Sequence, residues 1–315
     1  MYQHLLVPVG ETDASIQAVG HATGFAQAIG ARITFLYVSP VYSDDIGAPR
    51  WNADRRAGGW LARAEAGARA QGVPCTSVVA EDGSLDAIIT EALRHGCDLV
   101  YTNASRAREE ETAGSGRSGG ALRPAVLYCE ADERPAVSGS IGALLHEHRT
   151  LVHIVHGCLS KILTARQPGA VTSTETVREM VRTLYRLPAR GIHAKEKAAL
   201  IRRLCKRTSR VNPELAELER LHQRDDELLH ELARMIGRES EDEPTVESLE
   251  ESLSAYARNV DEWMGREQGV ILPAARRYFS YADWAEIHCQ FNSADLVRET
   301  AEIDITYGEP GGPRA

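Results

Sequence analysis

The side chains best suited to acid–base or metal chemistry in this chain of 315 residues are its eleven histidines, and four of them crowd one segment. His146, His148, His153 and His156 fall within an apolar stretch that reads as a helix. Each residue turns a helix by about 100°, so these four cannot all face one point. One can point inward, and the others are expected at the rim. His222 and His230 nearly eclipse one another, but two turns put about 12 Å between them, too far for one metal ion. The six cysteines, Cys75, Cys97, Cys129, Cys158, Cys205 and Cys289, are scattered and form no C-x-x-C pair. They read as reduced, mostly buried thiols of a cytoplasmic protein, not as a disulfide framework or a zinc knuckle. No Ser/His/Asp arrangement, nucleophile elbow or P-loop is present. The acidic runs Glu109–Glu111 and Glu239–Glu243 read as solvated loops. The basic RRLCKR around Cys205 offsets a helix dipole more readily than it binds nucleic acid.

Two kinds of element must position these residues. Up to Cys129 strands and helices alternate. His4–Val9, Arg32–Val38, Cys75–Val79, Asp98–Tyr101 and Ala125–Cys129 read as strands, with helices over Asp13–Gly30, Asp54–Gln71 and from Ser84 to about Arg94. That rhythm implies a five-stranded parallel α/β sheet covered on both faces. The segment Arg106–Arg123, with AGSGRSGG, breaks the rhythm and reads as a loop. Polar Glu130–Ser138 is the expected domain boundary. Beyond it strand signals vanish. Helices are expected over Ile141–Thr164, Thr174–Leu187, Ala194–Arg207, Pro213–Ile236, Val246–Arg266, Val270–Phe279 with a kink at Pro273, and Ala282–His288. They imply an all-α four-helix bundle. The expected division is 1–133 for the α/β domain, 134–140 for a linker that permits fixed or loose docking, 141–290 for the bundle and 291–315 for a tail.

Composition bounds the function. Apolar residues make up 43% and charged residues 26%, as in an ordinary globular chain. A formal charge of −9 argues against broad nucleic-acid binding, which relies on Lys and Arg to displace counterions. No apolar run approaches the roughly 20 residues of a membrane helix. The start, MYQHLLVPVG, does not read as a signal peptide.

The strings HLLVPVGETDAS, ARITFLYVSP and DLVYTNAS resemble the universal stress protein family. Many of its members bind ATP, through an Asp ending the first strand and a glycine loop after the fourth. Here Gly10 takes the Asp place and Arg106 that of the second loop glycine. Asn103 and Ser105, with Gly114 and Ser115 or alternatively Gly116-Arg117-Ser118-Gly119, are what the resemblance leaves as a loop remnant, and the departures argue against ATP. Physically, paired glycines let backbone N–H groups approach phosphate.

LLHEHRTL, GIHAKEKAALIRRL, ELERLHQRDDELLHEL and WMGREQGVILPAARRYFSYADWAEI resemble, in order, the hemerythrin-like (HHE cation-binding) family of bundles. The resemblance implies iron held by His148, Glu196, His222 and Glu267, with His193 and Asp226 as substitutes. Ile192 and Trp263 stand where the family's two His-x-x-x-Glu histidines would be. An indole cannot coordinate iron, so a reduced ligand set or an apolar pseudo-site is expected. Together the resemblances imply a non-enzymatic stress-response sensor or regulatory binding protein, dimeric through the edge strand Ala125–Cys129, with an unknown protein partner. Two alternatives are a metal-free, nucleotide-free scaffold and an iron-dependent enzyme acting on peroxide or nitric oxide.

Overall fold

The computed structural model describes residues 2–38, 50–103, 123–130, 134–165, 179, 181–184, 197–236 and 245–291. Five strands, β1 (His4–Val9), β2 (Arg32–Val38), β3 (Cys75–Ala80), β4 (Leu99–Asn103) and β5 (Ala125–Cys129), form one parallel sheet in the order β3-β2-β1-β4-β5. Alternate residues of a strand point to opposite faces. Leu5, Val7 and Val9 of β1 therefore pack with helices α1 (Asp13–Ile29) and α2 (Arg50–Ala70), while Leu6 packs with α3 (Leu85–Arg94) on the other side. All six residues of β1 are buried, as a central parallel strand requires.

Local signals set the ends of these helices. Thr12 Oγ1 accepts the Ser15 N–H at 3.1 Å to start α1, and Gly30 closes it with φ +71°. Ser84 Oγ does the same for the Ala87 N–H at the start of α3. Gly72 and Gly96 also take positive φ, which their lack of a Cβ permits without strain.

The C-terminal half is helical: α4 (Pro135–Ala165), a π turn (Lys197–Ile201) leading into α5 (Arg202–Arg207), α6 (Asn212–Ile236), α7 (Val246–Arg266), a second π turn (Glu267–Ile271), α8 (Leu272–Tyr278) and α9 (Tyr281–Phe291). Residues 179 and 181–184 are helical as well. Leu144, Leu151 and Leu159 of α4, Leu184 and Leu204 of the second segment, Leu218 and Leu229 of α6, and Leu253 and Val260 of α7 share one apolar core. Four helical segments converge, as the bundle expectation requires. Helix α4 starts at Pro135, ahead of the expected Ile141, so most of the expected linker is its first turns. Proline suits that place, because the first helical N–H has no partner to lose.

The kink expected at Pro273 is taken up just before it, by the π turn. Proline has no N–H for the carbonyl four residues back, Gly269 O. That oxygen instead accepts Gln71 Nε2, in the turn just after α2, at 2.5 Å. The bond crosses between the two halves, and the rest of the contact is equally close. Helix α7 crosses α2 with almost no side chain between them. A Cβ on Gly265 would lie 2.3 Å from Arg63 O, and one on Gly269 2.6 Å from Gly67 Cα. Ile16 of α1 belongs to the bundle core, and Trp60 of α2 packs against both cores. The docking left open by the sequence is thus intimate and backbone-to-backbone.

Candidate metal centre

His148 of α4 and Glu267, the first residue of the second π turn, are almost wholly buried, at 2% and 1% exposure. His148 Nε2 lies 3.5 Å from Glu267 Oε2. The other ring nitrogen, Nδ1, is 3.3 Å from Gln268 Nε2, a contact that holds the imidazole's orientation. Of the four histidines on α4, His148 alone is buried; His146 and His153 are exposed and His156 is half-buried. This matches the expectation that only one can face the core.

Trp263 of α7 fills the middle of the site. Its indole is fully buried and meets the His148 ring edge-on at 5.2 Å and the His222 ring edge-on at 5.3 Å. Its Nε1–H donates to Asp225 Oδ1 of α6 at 3.3 Å. Asn259 Nδ2 donates to the same oxygen at 3.3 Å, and the Tyr256 hydroxyl to Asp225 Oδ2 at 3.4 Å. Tyr256, Asn259 and Trp263 lie on successive turns of one helix face, so three donors converge on one buried carboxylate. Burial, with Asp225 beside it, pushes the Tyr256 hydroxyl well above its ordinary range, so Tyr256 stays a donor.

The structure revises the substitute set. Asp226 is exposed, and Asp225 takes the inward place at 2% exposure. The reason is the leucine stripe of α6. Leu218, Leu221, Asp225, Leu228, Leu229 and Leu232 follow a three-and-four spacing, and Asp225 is a member of that row. A carboxylate in a leucine row was the sequence signal for it. Gln268 carried no such signal, because only the fold brings it to His148. Glu196 and His193, and Ile192 with them, lie outside the described residues.

Zinc and similar first-row ions take imidazole nitrogen and carboxylate oxygen donors at about 2.0–2.2 Å. Donor atoms 3.5 Å apart, as in His148 and Glu267, can share one such ion. His222, with its ring on Trp263, joins no group of three or more His, Cys, Asp or Glu with metal-site spacing among the described residues. The described donors therefore fit one edge of a mononuclear site.

At the carboxyl end of the sheet the strand order reverses between β1 and β4, where ligands of such folds bind. Asn103 ends β4 there, and its Nδ2 donates to Ser15 Oγ of α1 at 3.3 Å. Ser15 lies 3.5 Å from where a Cβ on Gly10 would be. Ser105, Arg106, Gly114, Ser115 and the alternative 116–119 lie outside the described residues. The cysteine expectation fails in part. Cys97 and Cys158 are buried, Cys75 and Cys129 are half-buried, and Cys205 and Cys289 are exposed on α5 and α9.

A parallel α/β domain is docked on a helical bundle that holds a His–Glu pair in its core. The hemerythrin HHE cation binding domain matches residues 128–291, more than half of the chain, and the chain belongs to that family. The universal stress protein family matches residues 1–116. Among solved structures, that of hypothetical protein MJ0577 is similar at 13% identity, covering 42% of this chain and 99% of that one, with a TM-score of 0.32. No curated protein matches the chain. No helix among the described residues is long and apolar enough to cross a membrane.

Proposed function

We propose that the protein is a non-enzymatic stress-response regulator whose helical bundle holds one divalent ion, iron by family, and whose α/β domain reads the state of that site. The observation carrying this reading is the second π turn. Its first residue, Glu267, faces His148 in the bundle core. Its second, Gln268, contacts the His148 ring, and its third, Gly269, is bound to Gln71 and pressed on Gly67 of the α/β domain. Three consecutive residues join the candidate metal site to the neighbouring domain. π turns often mark functional positions in helices. When bound, the ion would supply a charge that answers to oxygen or redox state. Glu267 and His148 would hold it, with Glu196 as a third donor by family pattern.

Elemental analysis of protein purified anaerobically without a His-tag tests the reading. About one iron per chain is expected in the wild type and none in a His148→Ala/Glu267→Gln double variant. Hydrogen exchange over residues 63–70 of α2 should slow on iron loading in the wild type alone. Absence of metal after reconstitution would leave a packed pseudo-site in a scaffold, the reading that buried Trp263 favours. Strand β5 lies at the sheet edge with Leu127 and Tyr128 exposed, which supports dimerisation through that edge.

A further inference from the structure

Between the domains runs a narrow cleft lined by Val9, Gly10, Trp60, Arg63, Gln268 and Gly269, among others. Arg63 of α2 is 3% exposed, yet its Nε and Nη2 groups have no hydrogen-bond partner among the described residues. Leaving two N–H groups of a buried guanidinium unpaired is costly, and such groups are rare in folded proteins. Its guanidinium carbon sits 4.0 Å over the Trp60 ring, which holds its plane. Its carboxylate partner, Asp261 of α7, lies 3.6 Å from Nη1, the opposite side of the guanidinium, and leaves the Nε and Nη2 groups unpaired among the described residues.

That edge has a known use within this molecule. On the surface, Arg220 applies the same two nitrogens to the Glu217 carboxylate, at 2.8 and 2.7 Å. Two parallel N–H groups match the two oxygens of a carboxylate or of a phosphate. Arg63 offers the same two N–H groups, buried and unpaired, in a cleft that glycines also line. From the fork, the lining and the burial, we propose that the cleft binds one small oxyanion, of carboxylate or phosphate type, side-on to Arg63 Nε and Nη2. The narrow cleft limits the ligand to a small one. Because the walls come from α2 and from the π turn, the bound anion ties the two domains together. The site does not depend on a metal in the bundle. Asp261 and, more weakly, Glu11 are the negative groups acting on Arg63. Burial pushes the Asp261 carboxyl up to about 6, so mildly acid conditions neutralise this competitor.

The test uses the full chain with arginine side chains labelled with nitrogen-15. Sodium acetate and orthophosphate are titrated in separate arms, against chloride at constant ionic strength, while the Arg63 Nε–H resonance and the melting temperature are followed. A saturable shift of that resonance, with a rise in melting temperature for at least one anion, is expected; which arm responds more strongly distinguishes carboxylate from phosphate. Arg63→Lys keeps the charge and removes the fork, and should weaken binding about tenfold or more. Asp261→Asn keeps the fork, removes the competing carboxylate and should tighten binding. The resonance titration of the wild type needs no variant to fold. No saturable response to either anion would overturn the proposal. So would an affinity in Arg63→Lys equal to the wild type, or a loss in Asp261→Asn as large as that in Arg63→Lys.

Discussion

Trp263 decides what the bundle core can hold. It packs on His148 and on His222 and donates to Asp225, so it is both wall and hydrogen-bonding partner. It also stands four residues before Glu267, on the same helix face. Trp263→His should therefore restore a His-x-x-x-Glu pair and raise iron content above that of the wild type by elemental analysis, at some cost in stability from the cavity left. Removing Asp225 acts differently. Asp225→Ala strands three buried donors and should lower unfolding free energy by about 3 kcal/mol in urea titration. The thiols are graded by burial. Cys97 is pushed up to about 11 and Cys158 to about 12, both mainly by desolvation. Their thiolates are negligible near neutral pH. A timed alkylation read by mass spectrometry should modify Cys205 and Cys289 first, and Cys97 and Cys158 only on unfolding.

The π turn and the short helix α9 show how elements are fixed by contacts from elsewhere. Asp283 of α9 accepts Arg207 Nη2 of α5 at 2.9 and 2.8 Å and the Ser280 backbone N–H at 2.8 Å. These partners, the Arg207 bond foremost, hold its carboxyl far below the ordinary 3.8. A carboxylate depressed in this way contributes stability fully above its unfolded range and loses it as pH falls through and below about 4. Asp283→Ala should thus cost about 2 kcal/mol at pH 7, and the gap to wild type should narrow progressively below pH 4, measured by urea midpoints. On the other side of the turn, glycine is required by space. Gly265→Val places a Cβ 2.3 Å from Arg63 O, which neither helix can accommodate without moving apart.

That separation would be felt by the whole molecule. The two halves share Ile16 and Trp60 in their cores and are crossed by Arg69–Glu262, Gln71–Gly269 and Arg276–His21 contacts at 2.8, 2.5 and 2.9 Å. Arg149 of α4 also pairs with Asp13 at the start of α1. Calorimetry of the wild type should give one cooperative transition. Gly265→Val should split it in two, while the far-ultraviolet spectrum stays near that of the wild type. A single unchanged transition in the variant would mean that the halves unfold together for another reason than this contact.

The sequence by itself determined what local chemistry determines. Strand texts, the helix start at Ser84, the helix end at Gly30 and the apolar rows specified a parallel sheet followed by a helical bundle, because period and helix ends are written in neighbouring residues. It also picked out His148 and Glu267 by resemblance, and their meeting at 3.5 Å follows from the bundle those rows encode. The tertiary structure decided the rest. Whether Asp225 or Asp226 faces inward depends on the phase of α6 against its neighbours, a matter of one residue that spacing from His222 alone did not resolve. Gln268 and Arg63 gained their roles only when α7 settled on α2, since side chains about 200 residues apart are brought together by packing and not by any local rule.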